Sequence, residues 1–254
     1  MAQIDFTQEY WLTAAQCNAQ RELPLSSLIR QIIDVATEHA NRIGVGAARL
    51  AEDDNTWVLS RISIVMDSYP RMHHSYSITT WIESFARFFS ERNFVIRNQD
   101  GNPLGYVRTV WICINRTTHR PADISALAAD APKDPQRPCP IPAIGKLHLP
   151  DHFDSQREYT FRVCDIDFNR HVNAVVYTSL IIDQLDLDTL DRHFIRSFDI
   201  NYQHESFFGE TVTIASQTDN LTPSQESPAV MTLSGAIMRD TTPCVLARLT
   251  LAPR

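Results

Sequence analysis

The 254-residue chain predicts an α+β fold made twice in tandem, each half a helix laid against an antiparallel sheet. Three observations carry this. One is an amphipathic helix near the start. Another is an almost wholly apolar helix in the second half. The third is the same order of strands after each. A sheet that curls round a buried helix covers both apolar surfaces at once, which is the hotdog arrangement. The prediction is therefore a tandem double hotdog.

The first helix is set by Leu25, Leu28, Ile29, Ile32, Ile33, Ala36, Ala40 and Ile43, spaced by three and four residues. Pro24 suits its first turn and Gly44 its end. Strands follow at Trp57–Asp67, Ser75–Ser84, Phe88–Arg97 and Leu104–Thr118, rich in β-branched and aromatic residues. Asp100-Gly101 is a hairpin turn between the last two. In the second half a strand over Arg157–Cys164 leads to a helix over His171–Leu187. That helix is apolar nearly all round and is expected to be enclosed. Four strands complete the half, at Ile195–His204, Glu210–Asp219, Ala229–Arg239 and Val245–Leu251. At an offset of 136 residues, Arg61–Met66 overlies Ser197–Tyr202, and Ser75–Ile78 overlies Thr211–Ile214. Between the halves lie Pro132, Pro135, Pro138, Pro140, Pro142 and Pro150, read as a stiff connector without a core role. The expected division is an N-terminal hotdog over 1–125, a proline-rich connector over 126–156 and a C-terminal hotdog over 157–254.

Composition excludes several functions. The net charge is −7, which argues against a broad nucleic-acid surface. No apolar run is long enough for a membrane span. The only lysines are Lys133 and Lys146; arginine supplies the rest of the positive charge. With seven glycines the chain has no P-loop, no dinucleotide fingerprint and no GxSxG elbow. Five widely spaced cysteines fit a reduced, intracellular chain without a zinc ribbon. His148 and His152 are separated by Pro150, which breaks a helical metal pair. Neither a metal nor another cofactor is expected. Met1–Asp5 lacks the start of a signal peptide, so a cytoplasmic protein is expected.

Two polar clusters stand out. Asp165-Ile166-Asp167-Phe168-Asn169-Arg170-His171-Val172-Asn173 lies between the second half's first strand and its enclosed helix. Capping accounts for one such residue. A carboxylate, an amide and an imidazole beside an apolar helix ask for more, because unpaired polar groups there are costly. Tyr202-Gln203-His204-Glu205-Ser206 ends the following strand and places Glu205 where it could approach the same helix start.

The chain here resembles the acyl-acyl carrier protein thioesterases of bacteria and plant plastids. Their helix pattern, D-x-D-x-N-x-H-V-N-N, reads Asp165, Asp167, Asn169, His171, Val172 and Asn173, with Ala174 in place of the last Asn. Their Y-x-x-E-C reads Tyr202, Glu205 and Ser206. Thr80-Trp81, Arg92-Asn93-Phe94, Asp100-Gly101, Trp111 and Arg116–Pro121 follow the family order in the first half. The resemblance implies a double hotdog, thioester hydrolysis, acyl carrier protein as partner, and Asp167, Asn169, His171 and Glu205 as catalytic residues. Ser206 stands where many relatives have cysteine, so a thiol nucleophile is missing there; Cys164 is expected in the core. Leu180 stands where relatives often have Trp, which alters the expected pocket.

The expected chemistry is attack by water, with Glu205, helped by Asp167, as general base. His171 and Asn169 orient it, and backbone N–H groups at the helix start polarise the thioester oxygen. Attack by Ser206 is the alternative; it needs His171 or His204 in reach. The first half is expected to lack a site: Tyr69 falls where Glu205 would, and nothing around Pro24–Leu28 matches the helix motif. Trp81, Phe85, Phe88 and Phe89 are candidates to line an acyl channel. Arg92, Arg97, Arg108, Arg116 and Arg120 are candidates for a basic patch that receives an acidic carrier. A hotdog acyl-CoA thioesterase and a non-catalytic acyl-binding sensor are the competing readings. A homodimer is left open.

Overall fold

The computed structural model describes residues 4–143, 145–221 and 229–254. Residues 1–3, read above for a leader, lie outside them. The chain divides into two compact units, residues 1–24 with 28–144, and 145–254 with 25–27.

The first unit opens with β1 (Asp5–Trp11), a strand that the sequence reading did not include. Helix α1 (Leu25–Arg42) follows, with Pro24 as N-cap and Gly44 at φ +76° beyond its end. A short α2 (Ala47–Ala51) leads to β2 (Asn55–Met66), β3 (Ser75–Phe85), β4 (Phe89–Asn98) and β5 (Pro103–Asn115). The antiparallel order is β1-β3-β4-β5-β2. The turn between β4 and β5 is built round Asn98, whose side chain accepts the N–H groups of Asp100 and Asn102, with Gly101 at φ +82°.

Alternation along the strands sorts the buried residues onto two faces. Tyr76 of β3 and Arg92 of β4 meet α1: Tyr76 bonds Gln31, and Arg92 reaches His39 Nδ1 at 2.7 Å as well as Thr80 Oγ1 of β3 at 3.3 Å. The opposite face carries Trp81, Asn93 and Arg108, which are adjacent in register. The proline-rich stretch covers this face. Its short α3 (Ser125–Asp130) is followed by buried Ala131, Cys139 and Ile141, so the expectation of a connector without a core role fails here. The attachment is polar as well. The Trp81 indole N–H donates to the Arg137 carbonyl at 2.8 Å, and the Asp134 N–H to the Ile82 carbonyl. Arg108 donates to Ile141 and to both oxygens of Glu83, at 2.6 Å each.

The second unit runs β6 (Ser155–Thr160), α4 (Ala174–Ile182), α5 (Leu187–Arg192), β7 (His193–Tyr202), β8 (Thr211–Asn220), β9 (Met231–Arg239) and β10 (Thr242–Pro253). Its order, β6-β8-β9-β10-β7, is that of the first unit strand for strand. Helix α4 is shorter than the expected His171–Leu187. It is capped by Asn173, whose Oδ1 accepts the Val175 N–H at 3.0 Å, so His171 stands in the loop before it. No residue of α4 is exposed, as its all-round apolarity requires. Gly235 of β9 leaves room for Ile181; a Cβ there would come within 2.7 Å of its side chain. No helix among the described residues is long and apolar enough to cross a membrane.

Candidate active site

The two polar clusters meet in the second unit. Residues 165–173 form a closed loop before α4. Asp167 and His171 pair through the Asp167 N–H and the His171 carbonyl at 2.8 Å. The Asp167 Oδ1 accepts the N–H groups of Asn169 at 2.8 Å and His171 at 3.1 Å. Arg170 takes a left-handed conformation, φ +66°, to close the turn. Asp165 is occupied nearby: its Oδ2 accepts the Arg162 N–H and the Tyr159 hydroxyl. The loop is joined to the segment after β7 by the Val172 N–H, which donates to the Ser206 carbonyl at 2.9 Å.

That junction sets His171 Nε2 3.5 Å from Glu205 Oε2. Both side chains are about one-third exposed, 33% and 38%, so they form a pair open to solvent at a helix entrance. Phe207 meets the imidazole edge-on, with centroids 5.2 Å apart. Glu205 is held through its backbone: Arg239 Nη1 donates to its carbonyl at 3.2 Å and to both Glu210 carboxylate oxygens at 3.1 and 3.0 Å. The Glu210 hydrogen bond raises the Arg239 pKa. Glu210 Oε2 also accepts the Phe207 N–H at 3.0 Å. Arg239 and Glu210 thus clamp residues 205–207. The sequence reading missed both, since one lies on β9 and the other precedes β8; only pairing brings them to Glu205.

The remaining expected residues fall as follows. The Asn169 side chain is exposed and makes no hydrogen bond among the described residues. Ser206 is fully buried, and its hydroxyl has no partner in hydrogen-bonding geometry. It lies near enough to Tyr177 to act on that phenol, whose pKa burial raises well above the ordinary value. Ser206 therefore has no bond to His171 or His204, the requirement set for serine attack. Cys164 is exposed, against the expectation of a core position. Trp81 is a core residue with the Arg137 guanidinium 4.1 Å above its ring. Phe85 packs on Ala40, Val45 and Ala131 and on Leu50, Cys113 and Ile124. Phe88 and Phe89 are partly exposed. The expected basic patch does not assemble as stated. Arg108 is buried against Glu83, and Arg92 is buried beside His39, with its pKa pushed down to about 9 by desolvation.

The first unit repeats the bonds that close this loop. Asn18 replaces Asp167: its N–H and carbonyl bond Glu22 and Arg21, and its Oδ1 accepts the N–H groups of Gln20 and Glu22 at 3.1 and 2.9 Å. Arg21, at φ +61°, replaces Arg170. The Leu23 N–H donates to the Pro70 carbonyl as Val172 does to Ser206. Glu22 therefore stands for His171 and Tyr69 for Glu205. The counterpart loop lies just before Pro24, at Asn18–Leu23, and has the geometry without the imidazole–carboxylate pair.

Two copies of one helix-and-sheet plan, with that pair in the second alone, define a tandem double hotdog with one candidate site. The model of the acyl-ACP thioesterase N-terminal domain matches residues 3–128, and that of the C-terminal domain matches residues 150–242. The chain belongs to the acyl-ACP thioesterase family. It is similar to a solved acyl-ACP thioesterase of Bacteroides thetaiotaomicron, at 27% identity and a TM-score of 0.84, with 97% of each chain covered. The 12:0-ACP thioesterase of Umbellularia californica shares the fold at 18% identity and a TM-score of 0.82, covering 100% of this chain and 96% of that one. Among curated relatives, the chloroplastic palmitoyl-acyl carrier protein thioesterase of Gossypium hirsutum is 23% identical over 213 residues, 79% of this chain and 52% of its own. The chain spans about half the length of such plant relatives.

Proposed function

We propose that the protein hydrolyses the thioester of a fatty acyl-acyl carrier protein, releasing the fatty acid and the carrier thiol. The observation that carries the reading is the His171–Glu205 pair at the entrance of α4, absent from an otherwise matching loop in the first unit. Family membership supplies the substrate class, and a cytoplasmic place of action goes with the proposal. In this reading Glu205 takes a proton from water, whose oxygen attacks the thioester carbon. His171 orients the carboxylate and passes the proton to the leaving sulfur as the C–S bond breaks. The Ala174 N–H has no partner among the described residues, whereas Asn173 occupies those of Val175 and Val176; it is the donor we assign to the developing oxyanion.

We assign Asp167 a positioning role. Its Oδ1 closes the loop as the neutral Asn18 amide does in the first unit, so the frame itself does not need the charge. Asn169 is assigned to substrate contact from the loop surface. Trp81, Phe85 and Phe89 stay with the acyl-binding half of the proposal, with Trp81 acting by shaping the sheet.

The test is thiol release from acyl carrier protein and coenzyme A thioesters of graded chain length, with Glu205→Ala alongside. The expected result is carrier-selective release that falls about 100-fold or more in the variant. Wild-type-like turnover in folded Glu205→Ala would remove the assigned base. Binding without release from any thioester would make the protein an acyl sensor, and preference for coenzyme A would move it to the acyl-CoA thioesterases.

A further inference from the structure

Large apolar side chains stand in solvent on the segments that lead to His171 and Glu205. Phe168, at the tip of the closed loop, is 94% exposed; Val163 is 75% exposed, Phe208 63% and Phe207 43%. They belong to two segments stitched together. The Gly209 N–H donates to the Phe161 carbonyl and the Phe161 N–H to the Glu210 carbonyl, so residues 162–163 emerge beside 207–208. Phe207 itself touches the imidazole. An exposed apolar cluster of this kind marks an interaction surface.

The first unit provides an internal control. At the matching positions of its loop and strand end it carries Ala14, Ala19, Arg71 and Met72 in place of Val163, Phe168, Phe207 and Phe208. The same backbone bonds therefore form without aromatic residues at these four positions, and folding does not explain them. They occur in the copy that carries the catalytic pair.

Charge selects the occupant. Arg162 and Arg170 are exposed beside Val163 and Phe168, and the Arg170 guanidinium has no ion pair or hydrogen bond among the described residues. The acids of the loop face inward, since Asp165 and Asp167 accept backbone N–H groups. A chain of net charge −7 is poorly matched to a wide anionic membrane, but two cations among apolar tips fit a small acidic protein face. Phe207 joins the patch to the imidazole of the pair. We infer that Val163, Phe168, Phe207 and Phe208, with Arg162 and Arg170, form the docking surface for the acidic acyl carrier protein. This rests on the carrier-protein reading of the site and locates where the carrier is received.

The experiment compares one acyl group on acyl carrier protein and on free pantetheine. The enzymes are wild type, Phe168→Ser, Arg170→Glu and, as a control outside the patch, Leu187→Ser. Docking predicts that KM for the carrier substrate rises about tenfold in each patch variant and does not change in Leu187→Ser. Release from acyl-pantetheine stays within about twofold of wild type. Added salt raises the wild-type carrier KM more steeply than that of Arg170→Glu. Equal loss on both substrates, or no change on either, overturns the assignment. So does loss of flotation with anionic vesicles in Phe168→Ser while the carrier KM stays constant, which makes the patch a membrane contact. If wild type cleaves acyl-pantetheine but not the carrier thioester, the carrier-protein function fails and docking fails with it.

Discussion

Replacing Arg239 with Gln removes the charged group that, among the described residues, ties Glu205 to the rest of the second unit through its backbone. Three bonds leave together: one to the Glu205 carbonyl at 3.2 Å and two to Glu210 at 3.1 and 3.0 Å. The side chains of Arg239 and Glu210 are 34% and 29% exposed, so solvent screens the pair and its share of stability is about 1 kcal/mol. For a chain of this size that lowers the thermal midpoint by roughly 2–4 °C. The catalytic effect is larger, because Glu205 and Phe207 are freed to shift. A displacement of about 1 Å costs on the order of 100-fold in rate, and we expect kcat to fall 10- to 100-fold with KM nearly unchanged. Steady-state thiol release and a melting curve on the same preparation separate the two effects. Glu210→Gln should behave alike, and the double variant should lose little more than either single one, since both act through one clamp. A folded Arg239→Gln with kcat within twofold of wild type, or strictly additive losses in the double variant, would refute the reasoning.

Three other outcomes follow from the same contacts. Asp167→Asn keeps the Oδ1 acceptor that Asn18 provides in the first unit, so its turnover should stay within about tenfold of wild type, whereas Asp167→Ala should lose about 100-fold; equal losses in both would give the charge a direct catalytic part. Glu83→Gln leaves the buried Arg108 cation without its carboxylate, at a cost of about 3 kcal/mol, and should lower the thermal midpoint of the first unit by roughly 6–12 °C; an unchanged melting curve would show that the ion pair is energetically idle. Ser206→Ala removes a buried hydroxyl that has no partner in hydrogen-bonding geometry, so activity should remain within about threefold of wild type; loss of turnover would restore the serine mechanism.

The strands and α1 were legible because burial on one face imposes a period. Leu25–Ile43 reads as a helix before any contact is known, and so do the strands round Ile62–Met66 and Phe198–Tyr202. β1 was not legible: Asp5–Trp11 is mostly exposed along one edge, and its role appears only in pairing with Ser75–Trp81. The start of α4 was misplaced because His171 and Val172 read as helical residues, while the Asn173 cap and the bond from Val172 to Ser206 hold them outside it. Of the site, His171 and Glu205 could be chosen from a cluster and a strand end. Arg239 could not, because an arginine at the end of a strand resembles many others until β9 and the segment before β8 are brought together.

The matching loops show how the pair proposed for catalysis comes to stand in one unit and not in the other. The bonds that close the loop come from main-chain groups and one side-chain oxygen, and either Asn18 or Asp167 supplies it. The frame is thus indifferent to what stands at the next two positions that matter. With Glu22 and Tyr69 there, the first unit has no imidazole at the matching loop position and carries its acid buried. With His171 and Glu205 there, the second unit has an imidazole and a carboxylate 3.5 Å apart, both partly open to water. Pro70 and Ser206 give the same carbonyl to the frame, so the Ser206 hydroxyl is surplus to it, in keeping with its missing partner. Conversion of Tyr69 to Glu with Glu22 to His would test how far the frame alone carries the function. It should place a similar pair before α1 yet give little turnover, because Pro24 replaces the Asn173 cap and no Arg239–Glu210 clamp fixes the new carboxylate: His74 occupies the position of Glu210. Turnover in that variant that survives Glu205→Ala would show that the clamp is dispensable and that the pair suffices.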